Sequence, residues 1–323
     1  MKRWLLINIR VINMESERLG IFLILFGMSL FCIQDIFIKL IINDTSILQI
    51  LVFRAFLGFI FLTGYLYINK KKITYKSNYP IIAIIRGTLF FVGFIFFYIS
   101  LTKIPLAEAN ALFFTNPIIV TFLSVFLLKN PIGIHRILAI IICCIGTLLI
   151  IKPSIYNFNW YILLPIFTAF SYAISMVLSK ITSDKDNSFQ QSFHIYLGGI
   201  IFGSLLSIVL TNQSASSLSL LSILSTKWIF TDLNILYKLI IIAVVGTVGI
   251  FCLVSAYRIG SPSANAPFEY ILLIYALISG YIIFNEIPDI YSLIGMALII
   301  ISGIYVFIRE SFNKRLIATI KSR

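Results

Sequence analysis

Asp35, Lys39, Arg54 and Arg86 are charged side chains set within long runs of Leu, Ile and Phe, and Glu108, Asn110, Asn265 and Glu269 stand near the starts of two such runs. A charge at the centre of a hydrocarbon layer costs on the order of 2.5–3.5 kcal/mol on insertion scales, so each of these groups needs a partner or a task. Asp35 and Lys39 are four residues apart on one helical face, which suits an ion pair. That pair either neutralises itself near a boundary or lines a pathway. Arg54 lies about seven residues into its run, a depth comparable to Asp35 at the helical rise, so the two can bond. Arg86, about six residues into its run, either snorkels to headgroups or faces a cavity. In a cavity, either guanidinium favours a carboxylate or phosphate. The Glu108/Asn110 and Asn265/Glu269 sites adjoin helix N-termini, where they cap free N–H groups. The other reading is that Glu108 or Glu269 takes up and releases a proton. Phe94, with Phe90, Phe91, Phe97, Tyr98 and Phe113, belongs to an aromatic set that suits a planar or ring-bearing solute.

The elements that hold these residues are apolar runs near the length needed to cross about 30 Å of hydrocarbon. They run from Leu19 to Ile42, Ile47 to Ile68, Ile81 to Leu101, Leu106 to Leu128, His135 to Ile151, Trp160 to Leu178, Ser192 to Leu210, Leu239 to Tyr257, Ala264 to Phe284 and Ser292 to Ile308. Asn43-Asp44, Lys70-Lys71-Lys72, Pro105, Lys152-Pro153 and Pro288 fall between runs, where helix breakers belong. The Ser-rich stretch 211–238 reads as a long loop with an interfacial helix. Before Leu19, the segment Trp4 to Ile12 lacks a cleavage site and reads as an interfacial piece, or as sequence upstream of a start at Met14.

Composition agrees, with 60% hydrophobic residues, 11% charged and a mean hydropathy of +1.03, well outside soluble usage. The net charge of +13 sits in loops and tails, so it reads as an orientation signal and not as a nucleic-acid surface. About 18 Lys and Arg fall on the side of the N-terminus, against Lys103, Lys152, Lys227 and Lys238 opposite, which places both termini in the cytoplasm. The four cysteines lie inside apolar runs without metal or disulfide spacing. The sequence carries no Walker loop, HExxH or GxSxG, and its two histidines are His135 and His194. No cofactor or metal is expected, and no enzyme activity.

The chain also repeats itself. Ser100 to Ala111 aligns without a gap on Ser255 to Ala266, matching Ser, a base, Ile and Ala-Asn-Ala, and Phe113 then meets Phe268. The match joins the third and fourth runs in one half and the eighth and ninth in the other. An odd number of spans per copy inverts the second copy, as in many secondary transporters.

Arg86-Gly87 to Tyr98, Ile104-Pro105-Leu106-Ala107-Glu108-Ala109-Asn110-Ala111, Phe113-Phe114-Thr115-Asn116-Pro117 and Gly146 to Pro153 resemble the first repeat of the drug/metabolite transporter superfamily, EamA type. Asp35, Lys39, Arg54, Glu286, Gly295 and Gly303 extend the resemblance over nearly the whole chain. One departure is Lys129-Asn130-Pro131 where the family has Gly-Glu; Glu286, its counterpart in the second half, is retained and read as packing. The resemblance implies carriage of a metabolite such as an amino acid, riboflavin or S-adenosylmethionine.

The expectation is therefore an all-α integral membrane protein of about ten transmembrane helices in two inverted five-helix repeats. Its parts are a tail at 1–18, repeats at 19–153 and 154–310, and a basic tail at 311–323. It would act in a bacterial cytoplasmic membrane as a secondary transporter of a small organic solute, working by alternating access with proton coupling as one option. Lipid is its expected neighbour, and a homodimer is compatible with these features without being called for by them. The rival is a passive channel, which predicts no saturation and no exchange.

Overall fold

In hydrocarbon a chain satisfies its backbone most simply as helix, and helix is what these apolar runs form. A computed structural model describes residues 2–70, 74–116, 118–120, 122–123, 134–151, 159–211, 224, 228–259 and 268–320. The helices are α1 (Lys2–Ile41), α2 (Ile47–Ile68), α3 (Pro80–Leu101), α4 (Leu106–Phe113), α5 (Ile134–Ile151), α6 (Leu163–Ile181), α7 (Ser188–Thr211), α8 (Leu233–Ile259), α9 (Ile271–Phe284) and α10 (Ile290–Ile320). A 3₁₀ turn, Trp160–Ile162, leads into α6. Among the described residues, six helical stretches are long and apolar enough to cross a membrane, those of α1, α2, α3, α6, α7 and α8. The shorter apolar ones are α4, α5, α9 and α10, at the same places in each half. The segment before Leu19 is helical and continuous with α1.

The helix ends follow local chemistry. Pro80 opens α3 at a position whose N–H has no partner to lose. Pro105, extended at φ −57° and ψ 147°, precedes α4. Asn285 closes α9 at φ 54°, a left-handed conformation that Asn tolerates better than most side chains. The next N–H, from Glu286, bonds back to Gly280 O at 2.9 Å. This turn aims the Glu286 side chain across the end of the bundle. α4, expected to run to Leu128, turns instead at Phe114 and Thr115, because Pro117 has no N–H to offer the Phe113 carbonyl. A turn at Tyr270 just before α9 falls at the aligned place in the second half.

The main packing pairs are α1 on α8 and α3 on α6, α3 on α7 and α2 on α8, α1 on α9 and α4 on α6, with α2 on α7, α4 on α9 and α5 on α10. Exchanging the first five helices for the last five leaves this set unchanged. Two crossings depend on glycine: a Cβ on Gly146 of α5 would meet Gly295 O of α10 at 2.7 Å, and one on Gly87 of α3 would meet His194 O of α7 at 2.7 Å. Such small residues replace the missing hydrophobic drive between helices in lipid with close backbone packing. Large apolar side chains such as Phe22, Ile81 and Ile282 face outward. The cysteines are free, Cys144 exposed and the others buried.

Gly146→Val should force α5 from α10 and cost about 1–3 kcal/mol, read as a lower melting temperature in detergent. Gly64→Ala, where an added Cβ meets nothing within 4 Å, should leave that temperature unchanged.

Candidate substrate site

Polar groups from four helices of the first half meet in the interior. Arg54 of α2 donates through Nη1 to the Tyr98 hydroxyl of α3 at 2.7 Å, and Gln34 of α1 donates through Nε2 to the same oxygen at 3.2 Å. The Arg54 guanidinium also lies 4.7 Å from the centre of the Phe94 ring, a cation–π distance. Asp35, only 5% exposed, is surrounded by Arg54, Asn110 and Gln34. Asn110 donates to Leu106 O at 3.1 Å, while its Oδ1 is buried with no partner.

Asp35 and Asn110 open onto a small cavity walled by Phe94, Phe97, Phe113 and Tyr172. A carboxylate and an unpaired amide oxygen accept hydrogen bonds from a cation, and the rings add their negative faces. Arg54, on the far side of Phe94 in a second cavity, supplies the opposite charge. Behind Tyr172 lies Glu269, fully buried. It accepts from the Tyr257 hydroxyl and from Asn116 Nδ2 at 3.2 Å. The Tyr172 hydroxyl is beside Glu269 and Tyr257 but completes no hydrogen bond.

Both ends of the bundle are clasped. At one, Lys39 of α1 forms an ion pair with Glu286 and lies 5.0 Å from the centre of the Phe284 ring, while the second Glu286 oxygen accepts from Leu106 N at the start of α4 at 3.0 Å. Nearby, Ser292 of α10 donates to Glu108 at 2.9 Å, and Gln49 of α2 pairs with the Ile229 backbone at 2.7 and 2.8 Å. At the other end Asp186 accepts from Ser77 Oγ and from Asn78 N and Nδ2 at 2.9 and 2.8 Å. Burial alone would push its carboxyl up, but the Ser77 and Asn78 hydrogen bonds outweigh that and hold it below the ordinary carboxylate value.

The structure thus gathers Asp35, Arg54, Phe94 and Asn110 in one place and sets Glu269 beside it. Lys39 does not pair with Asp35. The Asn285 turn brings Glu286 to it, while Asp35, one turn deeper, has Arg54 and Asn110 instead. Arg86 does not snorkel: α7 closes over Gly87 and α6 over Arg86, which is 1% exposed and donates through Nε to Ser175 O at 3.1 Å. Glu108 bonds across to α10. Asn265 and Lys129-Asn130-Pro131 lie outside the described residues. Glu286 holds an ion pair as well as packing against its neighbours, and Gln34, Asn116, Tyr172 and Tyr257 join the site without having been singled out. Only Gln34, a polar residue mid-run beside Asp35, carried a signal.

A lipid-facing helical bundle with a charged interior cavity defines a multi-pass membrane transport protein. The EamA-like transporter family matches residues 18–152 and again 159–309, and the chain belongs to that family. The chain is 26% identical over 277 residues to a protein of Rickettsia conorii named S-adenosylmethionine uptake transporter, covering 86% of this chain and 88% of that one. It is 28% identical over 217 residues to a riboflavin transporter of Brucella anthropi, covering 67% and 72%. A solved crystal structure, 12% identical, shares the fold with a TM-score of 0.65 over 92% of this chain and 98% of that one.

Lys39→Met should cost about 2–3 kcal/mol by leaving Glu286 half-buried without its cation, read as a lower melting temperature. Exchanging the two residues should recover only part, because a lysine at 286 cannot accept from Leu106 N. The Asp186 clasp should be complete above the unfolded carboxylate value of about 3.9 and fade only as pH falls through its lower folded value. Hydrogen exchange of residues 74–79, corrected for intrinsic rate, should therefore be flat from about pH 5 to 8. Asp186→Asn should raise it roughly tenfold at neutral pH.

Proposed function

We propose that this chain is a secondary carrier that takes up S-adenosylmethionine, or a close chemical relative of it, across a bacterial inner membrane, with both termini cytoplasmic. The observation that carries the reading is the cavity in which Asp35 and the free Asn110 oxygen face a wall of Phe94, Phe97, Phe113 and Tyr172. S-adenosylmethionine presents an ammonium and a sulfonium for the carboxylate and rings, a carboxylate for Arg54, and a purine for aromatic stacking. The names of the Rickettsia relatives point the same way.

Carriage would proceed by alternating access between two inverted five-helix repeats, residues 19–153 and 154–310. The doubled family match, the exchangeable packing pairs and the short helices at equal places in each half support that arrangement. The Lys39–Glu286 and Asp186 clasps would be the contacts released in turn.

Purified protein in proteoliposomes should take up labelled S-adenosylmethionine with saturation, and internal solute should exchange with it. Asp35→Asn should lose about 2 kcal/mol of solute interaction, roughly a 30-fold loss of uptake efficiency, with a smaller effect on riboflavin, which has no cation. Linear flux without exchange would instead identify a channel, and an unaffected Asp35→Asn would remove that residue from the site.

A further inference from the structure

Two carboxyls lie deep in this bundle, and their surroundings differ. Asp35 has the guanidinium of Arg54 within its electrostatic reach. Glu269 is fully buried, and among the described residues the groups that interact with it are neutral: the Tyr257 hydroxyl from α8, the Asn116 amide beyond the break in α4, and the Tyr172 hydroxyl from α6. Its neighbour Tyr270 is neutral too, with Cys143 of α5 beyond it, and residues 260–267 contain no Lys or Arg. A carboxylate in that setting would be an uncompensated charge in hydrocarbon, a cost of several kcal/mol.

The hydrogen bonds leave room for an acid as well as for an anion. Tyr257 and Asn116 donate to the two oxygens, and two neighbouring atoms, the Tyr172 hydroxyl and Asn116 Oδ1, are buried without a hydrogen-bond partner. A protonated Glu269 needs one acceptor for its O–H, and these two oxygens are the free acceptors beside it. Tyr172 also walls the Asp35 cavity, so the same ring touches the solute's space and the carboxyl.

Resting on the carrier reading above, we propose that Glu269 is the proton-carrying carboxyl that couples this transporter to a proton gradient, with Tyr172 linking it to the solute cavity. A proton from water on the open side bonds to a Glu269 oxygen, which lets the bundle close over a neutral group, and it leaves to water on the other side. The only bond made and broken is that O–H. Asp35, within the electrostatic reach of Arg54, stays with the solute.

The proton can be read directly, without any solute, as the infrared C=O stretch of a protonated carboxyl in purified protein near neutral pH. The band should be present in the wild type, absent from Glu269→Gln and retained in Asp35→Asn. A wild-type spectrum without it, or one that keeps it in Glu269→Gln, overturns the proposal. In proteoliposomes Glu269→Gln, which mimics the protonated form, should keep solute exchange within about twofold of wild type and lose accumulation driven by a pH gradient. Tyr172→Phe should shift the band and weaken the gradient response. If Glu269→Gln keeps the full gradient response, coupling through this residue is wrong. If no variant or wild type exchanges S-adenosylmethionine, the solute reading fails while the spectrum still decides the proton's place.

Discussion

Inside a bilayer no water is available to pair with a buried ion, N–H or C=O, so each must be answered from within the protein. The placement of the polar groups follows from that. Arg54 is answered by Tyr98 and the Phe94 face, Lys39 by Glu286, and Arg86 in part, through Nε, by the Ser175 carbonyl. The interruption of α4 at Phe114 is closed by Phe114 N bonding back to Asn110 and Ala111 at 3.0 and 3.1 Å. Two of the incomplete answers, Asn110 Oδ1 and the Tyr172 hydroxyl, lie at the Asp35 cavity and beside Glu269.

The same constraint makes the two ends of the bundle chemically unlike. One end is held by an ion pair whose acid also caps a helix start, so Glu286 ties α1, α4 and the α9–α10 turn together. The other is held by hydrogen bonds from the loop before α3 to a single carboxylate before α7. Both clasps join the two matched halves of the chain, and neither lies within the close glycine crossings that fix α3 to α7 and α5 to α10. Rigid crossings and separable clasps occupy different places.

The helices were legible because about twenty apolar residues in a row have one stable conformation in lipid. The repeat showed in Ala109-Asn110-Ala111 and its partner run because a duplicated scaffold keeps its turns. Asp35, Arg54 and Asn110 were legible for the same reason: a polar group in hydrocarbon advertises itself. Pairing was not. Spacing put Lys39 with Asp35, but a left-handed Asn285 two hundred and more residues away delivered Glu286 instead, and no local pattern encodes that approach. Arg86 looked free to reach the surface until α6 and α7 packed over it. Tyr172 and Tyr257 resembled ordinary aromatic residues, since only the fold places their hydroxyls beside Glu269.

The family match covers each half once, yet the two halves bring different chemistry to the centre. The first half supplies Asp35, Arg54 and Asn110, a carboxylate with its own counter-charge and an amide. The second supplies Tyr172 and Tyr257 around Glu269, hydroxyls around a carboxyl that has none. A strictly symmetric pair would have placed either two compensated carboxyls or two uncompensated ones in the same interior. The first arrangement would leave no group whose charge must change for the bundle to close. The second would hold two like charges in hydrocarbon at a cost each would double. On the carrier reading proposed above, one of each would let Asp35, with Arg54 near it, face the solute while Glu269 stands beside Tyr172, the packing being matched between the halves and the polar chemistry not.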